Sequence, residues 1–326
     1  MADSNTTTYF IAGGAGFIGS HMVLQLLAEE PDCRVVVYDN FSSGQRAYLE
    51  PAAKDPRLRV VAADLKDAAS LAKAMDGCQV VYHFASNPDI ARAATEPGVD
   101  FWEGTYLTHQ VLEAARAAGA RRVLYASGSG VYGDAGRKRL AEDYPYKLPV
   151  STYGASKLAG ESLLCSYCHM FGLAGSSFRF ANVVGPRQTH GVGFDFLRKL
   201  RANPKELEIL GDGTQSKPYI DVTDVLSALR LVERRQTGGY QYYNVATPDA
   251  VTVKAIADLA VAALGLAGVR YRFTGGPRGW QGDVPVVRLD ARKLRALGWR
   301  PRYSSAEAVR RSLQAMANAE TDRRQA

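Results

Sequence analysis

Residues 9 to 21 read Tyr-Phe-Ile-Ala-Gly-Gly-Ala-Gly-Phe-Ile-Gly-Ser-His, and an apolar-periodic stretch follows to about residue 30. The short apolar run, the glycines and the helical period predict a strand, a tight turn and a helix. Glycines at every third position have separate uses: Gly13 permits the turn, Gly16 lets backbone approach a pyrophosphate, and Gly19 lets the helix pack on the strand. A phosphate at this turn would face the partly positive N-terminus of the helix.

A second strand is predicted at residues 34–39, and Asp39 ends it 20 residues after Gly19. A carboxylate at this place can accept hydrogen bonds from both hydroxyls of an adenosine ribose and would repel a 2′-phosphate. The pattern therefore predicts NAD rather than NADP as the cofactor. A glycine turn that only packs within a strand-helix-strand unit is the alternative interpretation.

Further strands are predicted at 58–62, 80–84 and 121–126, with helices at about 68–75 and 101–118 between them. This alternation predicts an α/β fold, a doubly wound parallel sheet with helices on both faces. Ligands of such sheets bind at the carboxyl ends of the strands. The residues at these ends, which we expect around the cofactor, are Asp64, Leu65, Phe84, Ala85, Ser86, Ser127, Gly128 and Ser129.

The composition becomes less regular after residue 181, so we place a domain boundary near Asn182. Residues 1–181 are expected to form an NAD-binding Rossmann-like domain. Residues 182–326 are expected to form a smaller α/β lobe that binds substrate and interleaves with the first domain. Helices are predicted there at about 193–202, 222–235, 252–264 and 304–317. Two glycine-rich loops carry one cation each, Lys217 and Arg278, which fits phosphate binding or ordinary surface charge.

The composition is typical of a globular protein, with 46% apolar and 22% charged residues. No run of 18 apolar residues occurs, and the first eight residues lack a secretory pattern, so we expect a cytoplasmic protein without a membrane partner. The net charge of +7 is dispersed, which favours a phosphate-bearing small molecule over nucleic acid. No metal site or disulfide framework is expected from the four cysteines, Cys33, Cys78, Cys165 and Cys168.

Residues 151 to 161 read Ser-Thr-Tyr-Gly-Ala-Ser-Lys-Leu-Ala-Gly-Glu, which places Tyr153 and Lys157 four residues apart on a predicted helix. That spacing puts both side chains on one face. A tyrosine has a pKa of about 10, so its use as a base near neutral pH requires a decrease of about 3 units, or ~4 kcal/mol. A cation one turn away can supply part of this energy. A solvated lysine beside a half-buried tyrosine is the alternative, because this spacing is common by chance.

Together these motifs resemble the extended short-chain dehydrogenases/reductases, and among them the nucleotide-sugar 4-epimerases similar to UDP-galactose 4-epimerase. The resemblance runs from residue 8 to about residue 317. Its motifs are residues 13–19, 39–44, 64–65, 131–133 and 153–157, with Asn182, Arg278, Gly282 and Asp283. The cofactor contacts that it implies are Gly13, Gly16, Phe17, Ile18, Gly19, Asp39, Asn40, Ser42, Ser43, Gly44, Asp64, Leu65, Phe84, Ala85, Ser86, Tyr153 and Lys157.

The resemblance also implies the roles of individual side chains. Tyr153 would be the catalytic base, and Lys157 would bind the nicotinamide ribose and lower the pKa of the tyrosine. The substrate contacts would be Asn182, Lys217 and Arg278 on the diphosphate and Arg187 near the sugar, together with Ser127, Ser129 and Tyr153. The family commonly has arginine at position 217 and a loop one residue shorter near Arg278, and this chain departs from it at both places.

A more important departure concerns the catalytic hydroxyl. Counting back from Val131, the position that usually carries serine or threonine is Gly128, with Ser127 and Ser129 on either side. Either serine could assist the sugar hydroxyl, or the tyrosine could act without such a partner. We favour Ser129, because the related dehydratases use the equivalent position in catalysis.

The same region indicates the reaction type. Sugar 4,6-dehydratases place Asp and Glu at the positions of Ser129 and Gly130, and nucleotide-sugar decarboxylases place Glu at Gly130. Their absence favours epimerisation at C4 of a UDP-sugar of the UDP-glucose or UDP-galactose type, through a transient 4-keto intermediate with Tyr153 as acid and base. The alternatives are a UDP-glucuronate 4-epimerase, with Arg92, Arg187 or the serines on the carboxylate, a reductase, or a non-catalytic NAD-binding regulator. The resemblance further implies a homodimer through the helices at 101–118 and 152–171.

Overall fold

The computed structural model describes residues 6–145, 147–280 and 282–325. These residues form two compact units, each assembled from three stretches of chain. The first unit takes the described residues of 1–128, 155–179 and 229–243, and the second takes those of 129–154, 180–228 and 244–326. The domain boundary expected near residue 182 stays a prediction.

The described chain contains α-helices, strands and short helices of other types. The strands are β1 (Thr7–Ala12), β2 (Cys33–Asp39), β3 (Leu58–Ala62), β4 (Val80–His83), β5 (Arg122–Gly128), β6 (Ala174–Phe180), β7 (Asn182–Val184), β8 (Glu206–Ile209), β9 (Ser216–Lys217), β10 (Tyr219–Asp221), β11 (Tyr240–Val245), β12 (Val251–Thr252) and β13 (Arg270–Phe273). The α-helices are α1 (Phe17–Glu29), α2 (Ala68–Met75), α3 (Leu107–Ala117), α4 (Thr152–Phe171), α5 (Val192–Ala202), α6 (Val222–Arg235), α7 (Val253–Ala263), α8 (Arg292–Ala296) and α9 (Ser305–Gln325). The short helices are Arg46–Ala52, Ile90–Ala94 and Ser129–Tyr132, of the 3-10 type, and Phe101–Tyr106, of the π type.

The main sheet is parallel and has seven strands in the order β11-β6-β5-β4-β1-β2-β3. β1 lies between β2 and β4, so that Phe10 pairs with Val36 on one side and with Val81 on the other. The chain first adds strands outward from β1 to β3 and then in the opposite direction from β4. A switch point therefore lies between β1 and β4, where ligands of such sheets bind. This topology confirms the predicted doubly wound α/β fold.

Burial explains the sequence patterns of these strands. Phe10 and Ile11 in β1 are both fully buried, and so are Val35 and Val37 in β2. A central strand of a parallel sheet is covered on both faces, so its sequence is a continuous apolar run. The edge strand β3 is more exposed, and its Val60 retains 38% of its accessible surface.

The predicted helix at 101–118 differs from the observed one, because Phe101–Tyr106 forms a π-helix before α3 begins at Leu107. A Cβ added to Gly104 would lie 2.0 Å from the Ser156 hydroxyl oxygen on α4. The π-helix therefore places Gly104, which has no side chain, directly against α4. The period of apolar residues carries no sign of this local change.

The last helix is longer than predicted, since α9 continues to Gln325 where the pattern indicated an end near residue 317. No glycine or proline follows Ala317, so nothing in the sequence terminates the helix there. In the second unit, α9 packs with α5 and α7 around a core that includes Phe196, Leu200 and Leu313. None of the described helices is both long and apolar enough to cross a bilayer.

Candidate active site

The glycine turn after β1 lies against the end of β4. Gly13 has a φ of 77°, and its backbone N–H donates to the Tyr38 carbonyl at 2.9 Å. A Cβ on Gly13 would stand 2.8 Å from the Ala85 backbone nitrogen, which itself donates to the Ala12 carbonyl at 3.1 Å. The ends of β1 and β4 thus meet in backbone contact, and only glycine fits at position 13.

The other two glycines of the motif have different surroundings. A Cβ on Gly19 would lie 2.2 Å from the Gly13 carbonyl oxygen, so the start of α1 packs directly on the turn. A Cβ on Gly16 would meet only that oxygen, at 3.3 Å. No side chain caps α1, and its first turn contains no acidic residue. The N–H groups of this turn are therefore available to an anion, which fits the pyrophosphate of NAD.

Asp39, at the end of β2, is 8% exposed and faces the same turn. Its two oxygens accept the backbone N–H groups of Ala15 at 2.9 Å and of Phe41 at 2.8 Å. Burial raises the pKa of Asp39, and these two hydrogen bonds work in the opposite direction. A carboxylate has about four acceptor positions, so two remain for ribose hydroxyls. Asp39 therefore fits the predicted role of accepting hydrogen bonds from the adenosine ribose.

The loop after Asp39 approaches the end of β3. The Asn40 side-chain amide donates to Asp64 Oδ2 at 3.0 Å, and the Lys66 backbone N–H donates to Asp64 Oδ1 at 2.9 Å. Although burial raises the pKa of Asp64, these hydrogen bonds outweigh it and hold the pKa below its usual value. Gly44 packs so closely on Asp39 that a Cβ would lie 2.8 Å from the carboxylate. The predicted cofactor residues at the ends of β1, β2, β3 and β4 are thus gathered at one edge of the sheet.

Lys157 lies on α4 and is 3% exposed. Its Nζ donates to the carbonyl of Ala126 in β5 at 2.8 Å and stands 5.2 Å from the centre of the Tyr125 ring. Burial lowers the pKa of Lys157 to about 8, and the negative charge of Asp100 opposes this decrease. The amine is therefore still mostly protonated at pH 7.

Two buried polar residues near Lys157, Asp100 and His83, were not predicted from the sequence. Asp100 is 1% exposed and accepts a hydrogen bond from the Asn87 amide at 2.9 Å. His83 is 1% exposed, and its Nε2 lies 3.0 Å from the Thr108 hydroxyl. Burial, followed by the charge of Lys157, lowers the pKa of His83 to about 3, so this ring is neutral. The strand pattern at 80–84 indicated only the residues that follow the strand, because a buried histidine within an apolar run has no distinctive spacing.

Ser127 and Glu161 form a second group that the sequence did not reveal. The Ser127 hydroxyl donates to Glu161 Oε1 at 2.6 Å, although Ser127 was expected at the sugar. Arg179 in β6 binds both oxygens of Glu161, with its Nε 2.9 Å from Oε1 and its Nη2 2.6 Å from Oε2. One sequence feature could have indicated this group: Glu161 follows Lys157 by four residues, which places both side chains on one face of α4.

In the second unit, the start of α4 packs on the short helix Ser129–Tyr132. The Ser151 hydroxyl oxygen accepts the Gly154 backbone N–H at 3.1 Å, as a helix-capping side chain does. A Cβ on Gly154 would lie 2.5 Å from the Gly130 carbonyl oxygen. The residue after Tyr153 must therefore be glycine for this contact.

Lys217 and Arg278, the two predicted diphosphate cations, converge on Asp283. Lys217 Nζ donates to Asp283 Oδ1 at 2.5 Å, and Arg278 donates to the Asp283 backbone carbonyl and to Asp134 Oδ2, the latter at 2.7 Å. Asp283 is 4% exposed. Lys217 lies more than 60 positions before Arg278 and Asp283 in the sequence, and the fold brings the three residues into one cluster.

Asn182 and Arg187 lie in neighbouring parts of the second unit. Asn182 begins β7 and pairs with Tyr219 of β10, and its backbone N–H donates to the Pro218 carbonyl at 3.2 Å, next to Lys217. Arg187 has a φ of 69°, an unfavourable value for a residue with a side chain. Such strain is often found at functional sites. Which of the predicted side chains contact cofactor or substrate stays a prediction.

The described residues offer no group of three or more His, Cys, Asp or Glu side chains that could hold a metal ion. The cysteines are unpaired, and three of them, Cys33, Cys78 and Cys168, are buried.

A sequence model of the NAD dependent epimerase/dehydratase family matches residues 9–246. The chain belongs to this family. The UDP-glucose 4-epimerase of Mycolicibacterium smegmatis is 34% identical over 317 residues, which are 94% of this chain and 98% of that protein. A crystal structure of a UDP-galactose 4-epimerase is 40% identical with a TM-score of 0.85, over 96% of this chain and 99% of its own.

The dTDP-glucose 4,6-dehydratase of Streptomyces venezuelae, whose structure has NAD bound, is 29% identical with a TM-score of 0.89, over 97% of this chain and 98% of its own. These matches confirm the predicted resemblance to extended short-chain dehydrogenases/reductases of the epimerase type and NAD as the cofactor. The chain is therefore an NAD-dependent enzyme of the epimerase class.

The glycines of the epimerase/dehydratase turn should respond differently to alanine. Gly19→Ala should destabilise the fold by more than about 2 kcal/mol, because its Cβ would collide with the Gly13 carbonyl. Gly16→Ala should fold normally and lose NAD, because its Cβ projects where the pyrophosphate is expected. Thermal unfolding and NAD titration measure the two effects. Normal NAD binding by folded Gly16→Ala would contradict the assignment.

The buried Lys157 should make stability depend on pH. Its pKa is about 8 in the folded protein and about 10.4 in an unfolded chain, so between these values the unfolded chain binds more protons. The free energy of unfolding of the parent should therefore rise by about 3 kcal/mol relative to Lys157→Met as the pH increases from 8 to 10.5. Urea denaturation at several pH values measures the difference. A difference independent of pH would show that the ammonium is not destabilised by burial.

Proposed function

We propose that this enzyme inverts C4 of a UDP-sugar of the UDP-glucose or UDP-galactose type, through a transient 4-keto intermediate with Tyr153 as acid and base. The observation that carries the proposal is the tyrosine and lysine on one helix, α4, in a member of this family whose sequence has no acid at positions 129 and 130. The similar UDP-glucose and UDP-galactose 4-epimerases support the substrate class.

The first unit would hold NAD along the carboxyl edge of the sheet. The N–H groups at the start of α1 would bind the pyrophosphate, and Asp39 would accept the adenosine ribose hydroxyls. NAD supplies the acceptor and the later donor of one hydride when it is bound. Lys157, held by the Ala126 carbonyl, would donate a further N–H to the nicotinamide ribose.

Tyr153 would move the proton of the sugar. The phenolate removes the proton from the C4 hydroxyl, and the same oxygen returns it after the ring has turned over. Lys157 stands one helical turn along α4, and its pKa of about 8 keeps it positively charged at neutral pH. A positive charge at that distance favours the phenolate.

The residues at 129 and 130 separate this reaction from elimination of water. The resemblance to the sugar 4,6-dehydratases implies two acids at these positions for elimination, and this chain has Ser129 and Gly130. A Cβ on Gly130 would already lie 3.3 Å from the Gly154 Cα, so a glutamate would press on the start of α4. The dehydratase of similar fold therefore does not indicate a dehydratase activity for this chain.

The cluster of Lys217, Arg278 and Asp283 would anchor the diphosphate. Its cations are paired with Asp283 and Asp134, so a diphosphate would replace carboxylate contacts rather than meet free cations. Arginine and lysine both bind phosphate, and the anchor leaves the sugar ring free to turn.

We propose a neutral hexose rather than glucuronate because the similar curated protein and solved structure are a UDP-glucose and a UDP-galactose 4-epimerase. Arg92, one of the candidates for a sugar carboxylate, donates to Glu96 at 2.6 Å, and its side chain is 49% exposed. Its charge is therefore already paired at the surface. Arg187 and the serines are the candidates that remain for a carboxylate.

A homodimer is also proposed, on the basis of exposed apolar residues in the first unit. Phe101 and Trp102 on the π-helix are 52% and 53% exposed, and Met170 and Phe171 at the end of α4 are 72% and 49% exposed. Large exposed apolar side chains on two helices favour an interface with a second copy.

Separate incubations with UDP-glucose and UDP-glucuronate, followed by chromatographic resolution of the products, test the proposed reaction. UDP-galactose should form from UDP-glucose without the stoichiometric release of reduced cofactor. Conversion of UDP-glucuronate alone would replace the proposed substrate, and net reduction of added NAD would indicate a dehydrogenase.

Tyr153→Phe should reduce kcat by at least about 10²-fold, because it removes the acid and base. NAD binding should remain, since the phenol makes few of the expected cofactor contacts. Tyr271→Phe is the control: it removes a hydroxyl that donates to Asp258 at 2.8 Å, in a part of the second unit with no proposed role. Full activity of Tyr153→Phe would contradict the assignment of Tyr153 as the acid and base.

Gly128→Ser should be tolerated and should increase kcat by about tenfold, since it restores a hydroxyl where related enzymes carry one. A Cβ at Gly128 meets nothing within 4 Å. Gly133→Ser is the contrasting variant, because its Cβ would lie 1.8 Å from the Leu148 carbonyl and should destabilise the protein. Unchanged or lower activity of a stable Gly128→Ser would show that the tyrosine needs no hydroxyl at this position.

A further inference from the structure

A buried ionic group joins β5, α4 and β6 in the first unit, and we call it the Glu161 cluster. It consists of Ser127, Glu161 and Arg179, which are 3%, 4% and 3% exposed. Arg179 binds the carboxylate with two nitrogens, and Ser127 donates to Oε1. The Arg179 guanidinium also lies 4.7 Å from the centre of the Tyr242 ring in β11. The carboxylate of Glu161 thus connects three elements, and Arg179 extends the contact to β11.

A buried ion pair is not by itself a good way to stabilise a protein, because the desolvation of both charges offsets their attraction. Apolar side chains would fill the same space at similar or lower free energy. The hydrogen bonds of a buried ion pair are, however, directional, and a bidentate guanidinium holds a carboxylate in one orientation. The location of the Glu161 cluster therefore indicates a geometric role.

The cluster lies one helical turn from Lys157. On α4, Lys157 and Glu161 are four residues apart and face the same side. Their partners are consecutive residues at the end of β5, namely the Ala126 carbonyl for Lys157 and the Ser127 hydroxyl for Glu161. Two hydrogen bonds at successive positions of one strand set both the rotation and the translation of the helix against that strand.

The direction of the Ser127 hydrogen bond limits what this serine can do. An ionised carboxylate accepts hydrogen bonds and cannot donate them, so the hydroxyl proton of Ser127 is used on Glu161. The hydroxyl then has no proton to give to a sugar oxygen. Ser127 is also only 3% exposed, which agrees with a structural role inside the protein.

We propose that Ser127, Glu161 and Arg179 are positioning residues for Lys157: they fix α4 on β5 so that the ammonium stays on the Ala126 carbonyl, in the place from which it would bind the cofactor. This inference rests on the proposed function for its catalytic consequence, and on the NAD-dependent family alone for its effect on NAD binding. Ser127 is accordingly not a catalytic residue.

Ser127→Ala tests the proposal, because it removes one hydrogen bond and leaves the pair of Glu161 and Arg179 intact. Ser127→Thr keeps the hydroxyl. Ser176→Ala is the matched control, since Ser176 is also fully buried in the first unit and its hydroxyl donates to Gln236, which has no proposed function. The measurements are the NAD dissociation constant, by titration of cofactor-depleted enzyme, the melting temperature, and kcat and KM for the UDP-sugar.

Ser127→Ala should weaken NAD binding about tenfold and lower kcat about tenfold, with KM changed less than about twofold. Ser127→Thr should restore both values, and Ser176→Ala should lower the melting temperature to a similar extent without changing either. Identical behaviour of Ser127→Ala and Ser176→Ala would overturn the proposal in favour of packing alone. A raised KM with unchanged NAD affinity would overturn it in favour of direct contact with the sugar. If the parent protein fails to epimerise any UDP-sugar, the NAD dissociation constants of the variants still decide whether the Glu161 cluster positions Lys157.

Discussion

The first unit depends on one constraint: at the end of β1, the backbone of the glycine turn packs directly against the backbone after β4 and at the start of α1. Gly13 touches the backbone of Ala85, and Gly19 touches Gly13, at distances that leave no room for side chains. These contacts bring the first strand, the first helix and the fourth strand together at the switch point of the sheet. The open N-terminus of α1 and the carboxylate of Asp39 are placed by the same contacts.

Around this edge, charged groups are buried and each is held by a directional partner. Asp39 accepts two backbone N–H groups, Lys157 donates to a backbone carbonyl, and Glu161 binds a serine and an arginine. Burial disfavours the charged form of an isolated group, which is why Lys157 has a lowered pKa. The hydrogen bonds retain the charges in orientations that a nucleotide can use.

The reaction type depends on a few residues rather than on the fold. An epimerase and a dehydratase share this architecture closely, so the arrangement of strands and helices cannot separate their chemistry. In the proposed function this difference is attributed to residues 128–130, where Gly128 leaves open space and Gly130 packs on Gly154. In the second unit, Lys217 is paired with Asp283 and Arg278 with Asp134, so under the proposed function a diphosphate would exchange with these carboxylates.

The sequence alone determined the α/β fold, most helix and strand bounds, the NAD motif and the pair on α4, because these follow from local periodicity and from spacing along one element. It did not reveal the π-helix at Phe101–Tyr106, in which Gly104 lies against Ser156 of α4. Nor did it show that the Ser127 hydroxyl faces Glu161, or that Asp283 joins Lys217 to Arg278. Only the tertiary structure decided these features, because hydrogen bonds and backbone contacts between distant residues depend on how elements pack and leave no period in the sequence.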